Sequence, residues 1–522
     1  MVLPQLIRSM AIGVLVLSAA PAFADYVVTT DSDADNASDG VCSLREAITA
    51  VNTQANYNEC TSATTGESVV TFNIAPGLGE VHVIALASAL PKITHFITID
   101  GTTQVGASCT PVPNVRVQIT NPTNLATDGI NLDAGSDLSD IRGVALSGFA
   151  ANQKAGLHIS SNDVRVGCVL SGTNASGTLA QANWYGIYVN GQAAQIGVAT
   201  PTEWLPNLVS GNTSANVFVN AGGADTVVSG NYIGVDSSGV TPFPSAFGIY
   251  AIQVAGLRIG YAAADTPADH QRNVIALSSP AATTSIDVQF DNAVNNTIAG
   301  NYIGVGADGQ TLVPIGSGLA VSVFQSSSTL VGCDGNTAPA LCRNVIANPA
   351  GFAVENFEGS SNTAIVGNYI GVAADGTTAF SGSANTVGIE MSGADALVSS
   401  NIITTGGLGT GIELSPNSAK VTPVFLNQTA AGSGGAVLDS SGNCVQGNGT
   451  AGVDVNIGAS PTVLSTDFVG NWWGAADGPA PNGSGDSASS NINFTPFLTA
   501  PASICSPVTD AIFADGFEPP TP

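Results

Sequence analysis

Basic side chains are scarce in this sequence: 11 Lys and Arg stand against 38 Asp and Glu, a net charge of -27 over 522 residues. Such a surface repels nucleic acid and anionic lipid, which excludes nucleic acid as a partner. It also counts against a polyanionic substrate unless calcium bridges the two. Charged residues make up only 9% of the chain, and stretches rich in Leu, Glu and Lys are almost missing. Long helices are therefore not expected. Beyond residue 24 no run reaches the ~18 apolar residues of a membrane span, so no transmembrane segment is expected in the mature chain. Cys-x-x-Cys does not occur and no His stands near a Cys. That weakens a zinc site or free thiols as readings of the cysteines.

What the chain has is repetition. The phrase Gly-Asn-Tyr-Ile-Gly-Val begins at Gly230, Gly300 and Gly367, each time after a short apolar run and before a turn at Ser238-Gly239, Asp308-Gly309 or Asp375-Gly376. A second phrase, Arg272-Asn273-Val274-Ile275-Ala276, recurs from Arg343 to Ala347 and, relaxed, at Asn207-Leu208-Val209-Ser210. The copies lie roughly 70 residues apart, which suits about three coils of a strand-built solenoid. Asn231, Asn301, Asn368 and Asn471 read as structural corners, with Asn212, Asn273, Asn344 and Asn448 one coil away. Asn tolerates left-handed backbone, and its amide can bond the same amide of the next coil, so the set is expected to form one column. The competing reading is that Asn and Gly mark unrelated hairpin loops.

The N-terminus reads as an export signal over residues 1 to 24, with Arg8, an apolar run from Ala11 to Leu17 and Ala22-Phe23-Ala24 as the cleavage site. Eight Cys in an exported chain suggest disulfides, with Cys42 to Cys60, Cys333 to Cys342, Cys109 to Cys168 and Cys444 to Cys505 as the favoured pairs. Asp31, Asp33 and Asp35 alternate as calcium ligands do. The bidentate Glu of a calcium loop is missing, however, since Cys42 stands at its place, and a solvated turn is the other reading. Ser43 and Glu46 form a capping box, and Leu44, Ala47, Ile48 and Val51 mark one apolar face, which predicts a helix over 43–53. Such a helix would cover the open first coil of a solenoid.

Cys42-Ser43-Leu44-Arg45-Glu46-Ala47, with Ile48 and Asn52, resembles the motif that names the CSLREA domain, an N-terminal module of exported bacterial proteins. The Asn-Tyr-Ile-Gly and Arg-Asn-Val-Ile phrases are similar to repeats of right-handed parallel β-helices. The resemblance implies an all-β chain: a leader (1–24), a CSLREA capping module (25–64), one right-handed parallel β-helix (65–500) and a flexible C-terminal tail (501–522). Roughly 15 to 19 coils are expected, a rod on the order of 70 to 90 Å long. Trp472 and Trp473, with Phe494 and Phe497, suit a plug for the far end of the core; the alternative is an aromatic platform for sugar.

The fold leaves function open. The hydrolase phrases Asn-Thr-Asp, Asp-Asp, Gly-His-Gly and Arg-Ile-Lys are missing, and there are four His, at 82, 95, 158 and 270. Arg272 and Arg343 hold the same repeat position, which points to structure. Asp225, Asp287 and Asp291 could meet Arg258 on one face, although turn chemistry explains such Asp equally. The leading expectation is a non-catalytic secreted or cell-surface rod for adhesion or for binding an extracellular polysaccharide or surface glycan, with no catalytic residue and no cofactor. A flat lateral face without a carboxylate cluster would favour it. The alternative is a polysaccharide-active β-helix enzyme of lyase or glycoside hydrolase type, which needs two close carboxylates on neighbouring coils. A third reading is calcium-dependent binding through the Asp-Gly turns.

Overall fold

The computed structural model describes residues 24–62, 68–77, 79–199, 203–262, 269–277, 286–313, 318–333, 339–347, 351–357, 359–380, 387–415, 424–426, 436–455, 466–490 and 492–505. The expected leader up to residue 23 and the tail from residue 506 lie outside them. Three sheets of 14, 12 and 11 strands run along the molecule, and successive strands of the chain are dealt out among them in turn. Within each sheet a strand pairs in parallel with the strand one coil later, from Ala24–Val28 on Ser68–Phe72 to Thr410–Leu414 on Ala451–Val455. The fold is a right-handed parallel β-helix. Among the described residues the longest sheet has 14 strands, and loops inserted between strands lengthen many coils.

Alternation along each strand builds the core. In the third sheet Leu157, Ile187, Val217, Ile249, Val288, Val321, Val354, Ile389, Ile412 and Val453 stack in register and are fully buried. Each such side chain contributes about 1.5–3 kcal/mol relative to exposure. One continuous apolar cluster runs from Tyr26 to Ile492.

A buried amide column fixes the coil register. Asn207, Asn231, Asn273, Asn301, Asn344, Asn368, Asn401, Asn443 and Asn471 follow one another, each Nδ2 donating to the next Oδ1 at 2.8–3.1 Å. Two details differ from expectation. Asn212 and Asn448 are outside this column: Asn212 donates to Asn216 Oδ1 at 2.9 Å, and Asn448 to Asp486 Oδ2 at 2.8 Å. The left-handed backbone belongs to the preceding glycine, with φ of 73° at Gly230, 74° at Gly300 and 73° at Gly367. A left-handed corner suits Gly, which has no Cβ to clash, and this frees Asn to keep ordinary backbone while its amide bridges coils.

The cation of the second phrase is placed by the tyrosine of the first. The Arg272 and Arg343 guanidinium groups lie 4.4 and 4.0 Å from the ring centres of Tyr302 and Tyr369. These are structural contacts between the two phrases.

At the N-terminal end a helix spans Leu44–Thr53, capped by Ser43. The Glu46 N–H donates to Ser43 Oγ at 3.2 Å, and the Ser43 N–H donates to Glu46 Oε2 at 2.9 Å. Leu44, Ala47, Ile48 and Val51 join the core. At the far end Trp473 is fully buried, edge-on to Phe468 and Phe494 at 5.4 and 6.2 Å. The Trp472 indole donates to Gln446 Oε1 at 3.2 Å. All four cysteine pairs form, Cys42–Cys60, Cys109–Cys168, Cys333–Cys342 and Cys444–Cys505. Bonds of this kind persist in oxidising compartments. Among the described residues no helix is long and apolar enough to cross a membrane.

Candidate functional site

The third sheet carries an outward row, one residue per coil, next to the inward Val/Ile/Leu row. In order it reads Asn131, His158, Tyr188, Phe218, Tyr250, Gln289, Ser322, Glu355, Glu390, Glu413 and Asp454, every neighbour paired in register. With strands about 4.8 Å apart, these eleven positions extend over roughly 50 Å. The local sequence explains why. Gly156-Leu-His158, Gly186-Ile-Tyr188, Gly248-Ile-Tyr250, Gly388-Ile-Glu390, Gly411-Ile-Glu413 and Gly452-Val-Asp454 all repeat a small residue, an inward aliphatic and an outward functional side chain. The glycine is required where coils close up: a Cβ on Gly388 would stand 2.5 Å from the Gly411 carbonyl oxygen.

The first half of the row is aromatic. Tyr188 lies edge-on to His158 with centroids at 4.5 Å and tilts against Phe218 at 5.3 Å, which meets Tyr250 at 5.3 Å. Tyr185 and Phe247, on the same strands, stack on Phe218 and Tyr250 at 4.8 and 4.6 Å. The Tyr250 hydroxyl donates to Asp291 Oδ2 at 3.1 Å; burial and the Asp291 charge push it up to about 12. At the start of the row His158 Nδ1 is 3.1 Å from Asp128 Oδ2. Burial works to raise the Asp128 carboxyl, but the bond to His158 and the N–H of Ala155 hold it below the ordinary range.

The second half is acidic. Glu355 and Glu390 are 9% and 6% exposed, and Glu413 and Asp454 are half-buried. Ser322 donates to Glu355 Oε2 at 2.8 Å, and Ser415 to Glu413 Oε1 at 2.9 Å. Burial raises the Glu355 carboxyl against the Ser322 bond. Glu390 stands between two carboxylates. Burial first, then the charges of Glu355 and Glu413, push it up to about 8, against bonds from Ser392 and Ser415. Its Oε2 is buried and accepts no hydrogen bond. Like charges stacked on adjacent strands repel, so this trio keeps a proton at neutral pH. Phe324 and Phe357 stack at 5.2 Å on the strands that carry Ser322 and Glu355, or just past them.

The other carboxylates of the sequence reading are dispersed. Asp33 holds Arg45 at 2.8 Å, Asp35 accepts from Asn58 Nδ2 at 2.9 Å, and Asp31 lies 3.8 Å from His82. The structure does not bring these three together as a calcium site. Among the described residues no group of three His, Cys, Asp or Glu is arranged to hold a metal. In the Asp-Gly turns, Asp308 and Asp375 accept from the backbone N–H groups of Thr311 and Thr378, both at 2.8 Å. Asp287 and Asp291 belong to the third sheet and Arg258 to the first, where its guanidinium donates to the Gly260 carbonyl at 2.7 Å. Asp287 is wholly buried, and burial raises its carboxyl well above the ordinary range against N–H bonds from Leu277 and Gly304.

No family model matches the chain, and no curated protein sequence does. Solved structures similar to it include the periplasmic alginate epimerase AlgG, at 13% identity over 76% of this chain and 73% of that one, TM-score 0.34. The A-module of the Azotobacter vinelandii mannuronan C-5 epimerase AlgE4 is 12% identical over 81% and 96%, TM-score 0.40. A mannuronic acid specific polysaccharide family 6 lyase from human gut microbiota is 9% identical over 86% and 80%, TM-score 0.39. The likeness is one of fold.

The expectation of a non-catalytic rod is corrected. A flat lateral face without a carboxylate cluster would have favoured that reading, whereas the third sheet carries four carboxylates on successive strands, three of them Glu, the arrangement named for the alternative. The rows of Val, Ile and Gly hid this in the sequence, because each Glu is set apart from the next by a full coil.

Proposed function

We propose that this protein is an exported polysaccharide-acting enzyme of glycoside hydrolase type, with its substrate laid along the outward row of the third sheet. The observation that carries the reading is the in-register pairing of Glu390 with Glu413 in a row that continues into Tyr250, Phe218 and Tyr188. Aromatic faces receive sugar rings, and a coil advances by about the length of one sugar unit. Neighbouring carboxyls with different proton affinities divide acid from base work. Glu390, protonated at neutral pH, gives its proton to the leaving glycosidic oxygen as the bond to the anomeric carbon breaks. Glu413 adds to that carbon as carboxylate. Water, its proton taken by Glu390, then releases the sugar and restores Glu413. Strands about 4.8 Å apart suit the close carboxyl pair, about 5 Å, that works through such a covalent intermediate.

Export is supported by the four disulfides and by the leader-like residues 1–24, and the CSLREA identity of residues 25–64 belongs to the same proposal. The test is release of reducing ends by the mature chain from a panel of neutral, amino and acidic polysaccharides. Release by the wild type, cut at least 100-fold in Glu390→Gln and Glu413→Gln, supports the reading. No release from any polymer, or full activity of both variants, ends it.

A second reading rests on the other end of the row. His158, bonded to Asp128 and touching Tyr188, has Lys154 nearby as a positive charge. A base beside a cation is what removal of a proton next to a uronate carboxyl needs. Unsaturated products absorbing in the near ultraviolet, lost in His158→Ala and kept in Glu390→Gln, would select it.

A further inference from the structure

We propose that the aromatic end of the row also carries an ester-cleaving site, with Ser160 as nucleophile, His158 as its base and Asp128 as the group that orients His158, and that it removes acyl groups from sugar hydroxyls. The acyl chemistry goes beyond the reading of Glu390 and Glu413; only its sugar half rests on that reading, through the rings of the same row.

Asp128, His158 and Ser160 form one line of hydrogen bonds. Asp128 Oδ2 lies 3.1 Å from His158 Nδ1, and Ser160 Oγ lies 3.2 Å from His158 Nε2. Asp128 precedes the strand Ile130–Leu132 and His158 lies on Ala155–Ile159 one coil later, so the stacking of coils joins groups 30 residues apart. Ser160 follows His158 by two positions, which puts both side chains on the outward face. Asp128 also accepts from the Ala155 N–H at 2.9 Å and from Asn131 Nδ2 at 3.0 Å, bonds that favour its ionised form. An ionised carboxylate can only accept, so the His158 proton sits on Nδ1, and the bare Nε2 accepts from the Ser160 hydroxyl. Asp128 is nearly buried, whereas His158 and Ser160 are half-buried and within reach of a ligand.

Two residues of the next coil complete the site. The Tyr188 ring stands edge-on to the imidazole at 4.5 Å, and its hydroxyl accepts from Asn220 Nδ2 at 2.9 Å, which holds an aromatic face beside Ser160 for a sugar. Asn190 is exposed, its N–H donates to the Ile159 carbonyl at 2.8 Å, and its Oδ1 accepts the Gly222 N–H at 3.3 Å. The Nδ2 of that amide is the donor for an oxyanion formed at Ser160. As Ser160 Oγ adds to the acyl carbon, its proton passes to His158 Nε2. The bond from that carbon to the sugar oxygen then breaks, and the oxygen leaves with the proton. Water adds to the acyl-serine, its proton passes through His158 to Ser160 Oγ, and the acid is released.

Two measurements on the mature chain test this: mapping by mass spectrometry of the residue modified by a fluorophosphonate, and acetate release from 4-nitrophenyl acetate and from an O-acetylated glucan. The expected result is one phosphonate, on Ser160 and missing in His158→Ala, with acetate release from both esters cut about 100-fold or more in Ser160→Ala and in His158→Ala. Release should stay unchanged in Ser176→Ala, which alters an exposed turn serine. Release that survives in Ser160→Ala and is lost in His158→Ala is the imidazole acting alone and overturns the inference. A Ser160 that takes no phosphonate while circular dichroism shows an intact fold overturns it too. Cleavage of the nitrophenyl ester without cleavage of the glucan ester overturns its sugar half. Unsaturated products that need His158 and not Ser160 select the lyase reading in its place. Reducing ends released through Glu390 and Glu413 depend on none of these outcomes, so the hydrolase reading stands or falls separately.

Discussion

Glu355 and Glu390 are in-register partners on adjacent parallel strands, both nearly buried, and burial pushes both carboxyls above the ordinary range. Two such groups side by side cost stability when both are ionised. A pairing of this kind persists in a fold only with an offsetting use, and it sets a measurable pH dependence.

Glu390 has a folded pKa of about 8, above the value of about 4.3 for an unperturbed Glu. The folded form therefore holds the proton more tightly than the unfolded form. The stability present below about pH 4.3 is lost as pH rises toward 8. Glu355, also raised, contributes with the same sign. Thermal melting should show Glu390→Gln gaining on the wild type by a few degrees between pH 5 and pH 8, with the two curves meeting near pH 4. A constant gap across that range would mean Glu390 is ionised throughout.

The Asn301 side chain sits mid-column with five hydrogen bonds. Its Nδ2 gives to Asn344 Oδ1 at 3.1 Å and to the carbonyls of Ile259 and Ala299 at 3.0 Å, while its Oδ1 accepts from the backbone N–H and Nδ2 of Asn273. Asn301→Ala leaves those partners buried and unpaired at about 1–3 kcal/mol for each group that finds no substitute. Urea unfolding should lose on the order of 3 kcal/mol. A shift below a tenth of that would make the column incidental.

Ser43→Ala removes the acceptor for the Glu46 N–H at the start of the first helix. Loss of such a cap costs about 1 kcal/mol. Because Leu44, Ile48 and Val51 cover the first coil, hydrogen exchange should rise in the strands Ala24–Val28 and Ser68–Phe72 and remain unchanged around Ile412. Uniform acceleration along the rod would contradict a local cap.

Tyr188→Ala and Phe218→Ala each remove one ring from the aromatic half of the row. Stacked aromatic contacts are worth about 0.5–1.5 kcal/mol, so each variant should raise the KM for a long polymer by about 3- to 10-fold. The kcat should change little. Equal loss for a disaccharide and for a long polymer would place the rings outside the substrate path.

The solenoid was legible because its repeats fall where the backbone is most constrained. Gly300 needs a left-handed turn, Asn301 must bridge coils, and Ile303 must face the core. The helix was legible from Ser43 and Glu46, whose bonds are local in sequence. The column was read only in part, since Asn212 and Asn448 follow short strands as the true members do and only the stacking tells them apart. The acidic row was not read at all. Loops of unequal length separate Val354-Glu355 from Ile389-Glu390 and Ile412-Glu413, so no fixed period links them. The signal was the recurring small residue and inward aliphatic before each outward side chain, a pattern that also carries Tyr188 and Tyr250.

The most direct test is the stereochemical course of cleavage, followed by proton NMR on the polymer that the wild type degrades, with Glu413→Gly supplied with azide alongside. The account predicts products that retain anomeric configuration in the wild type, and a glycosyl azide of opposite configuration formed by Glu413→Gly. Unimpaired hydrolysis by Glu413→Gly, or no cleavage of any polymer by the wild type, would contradict it.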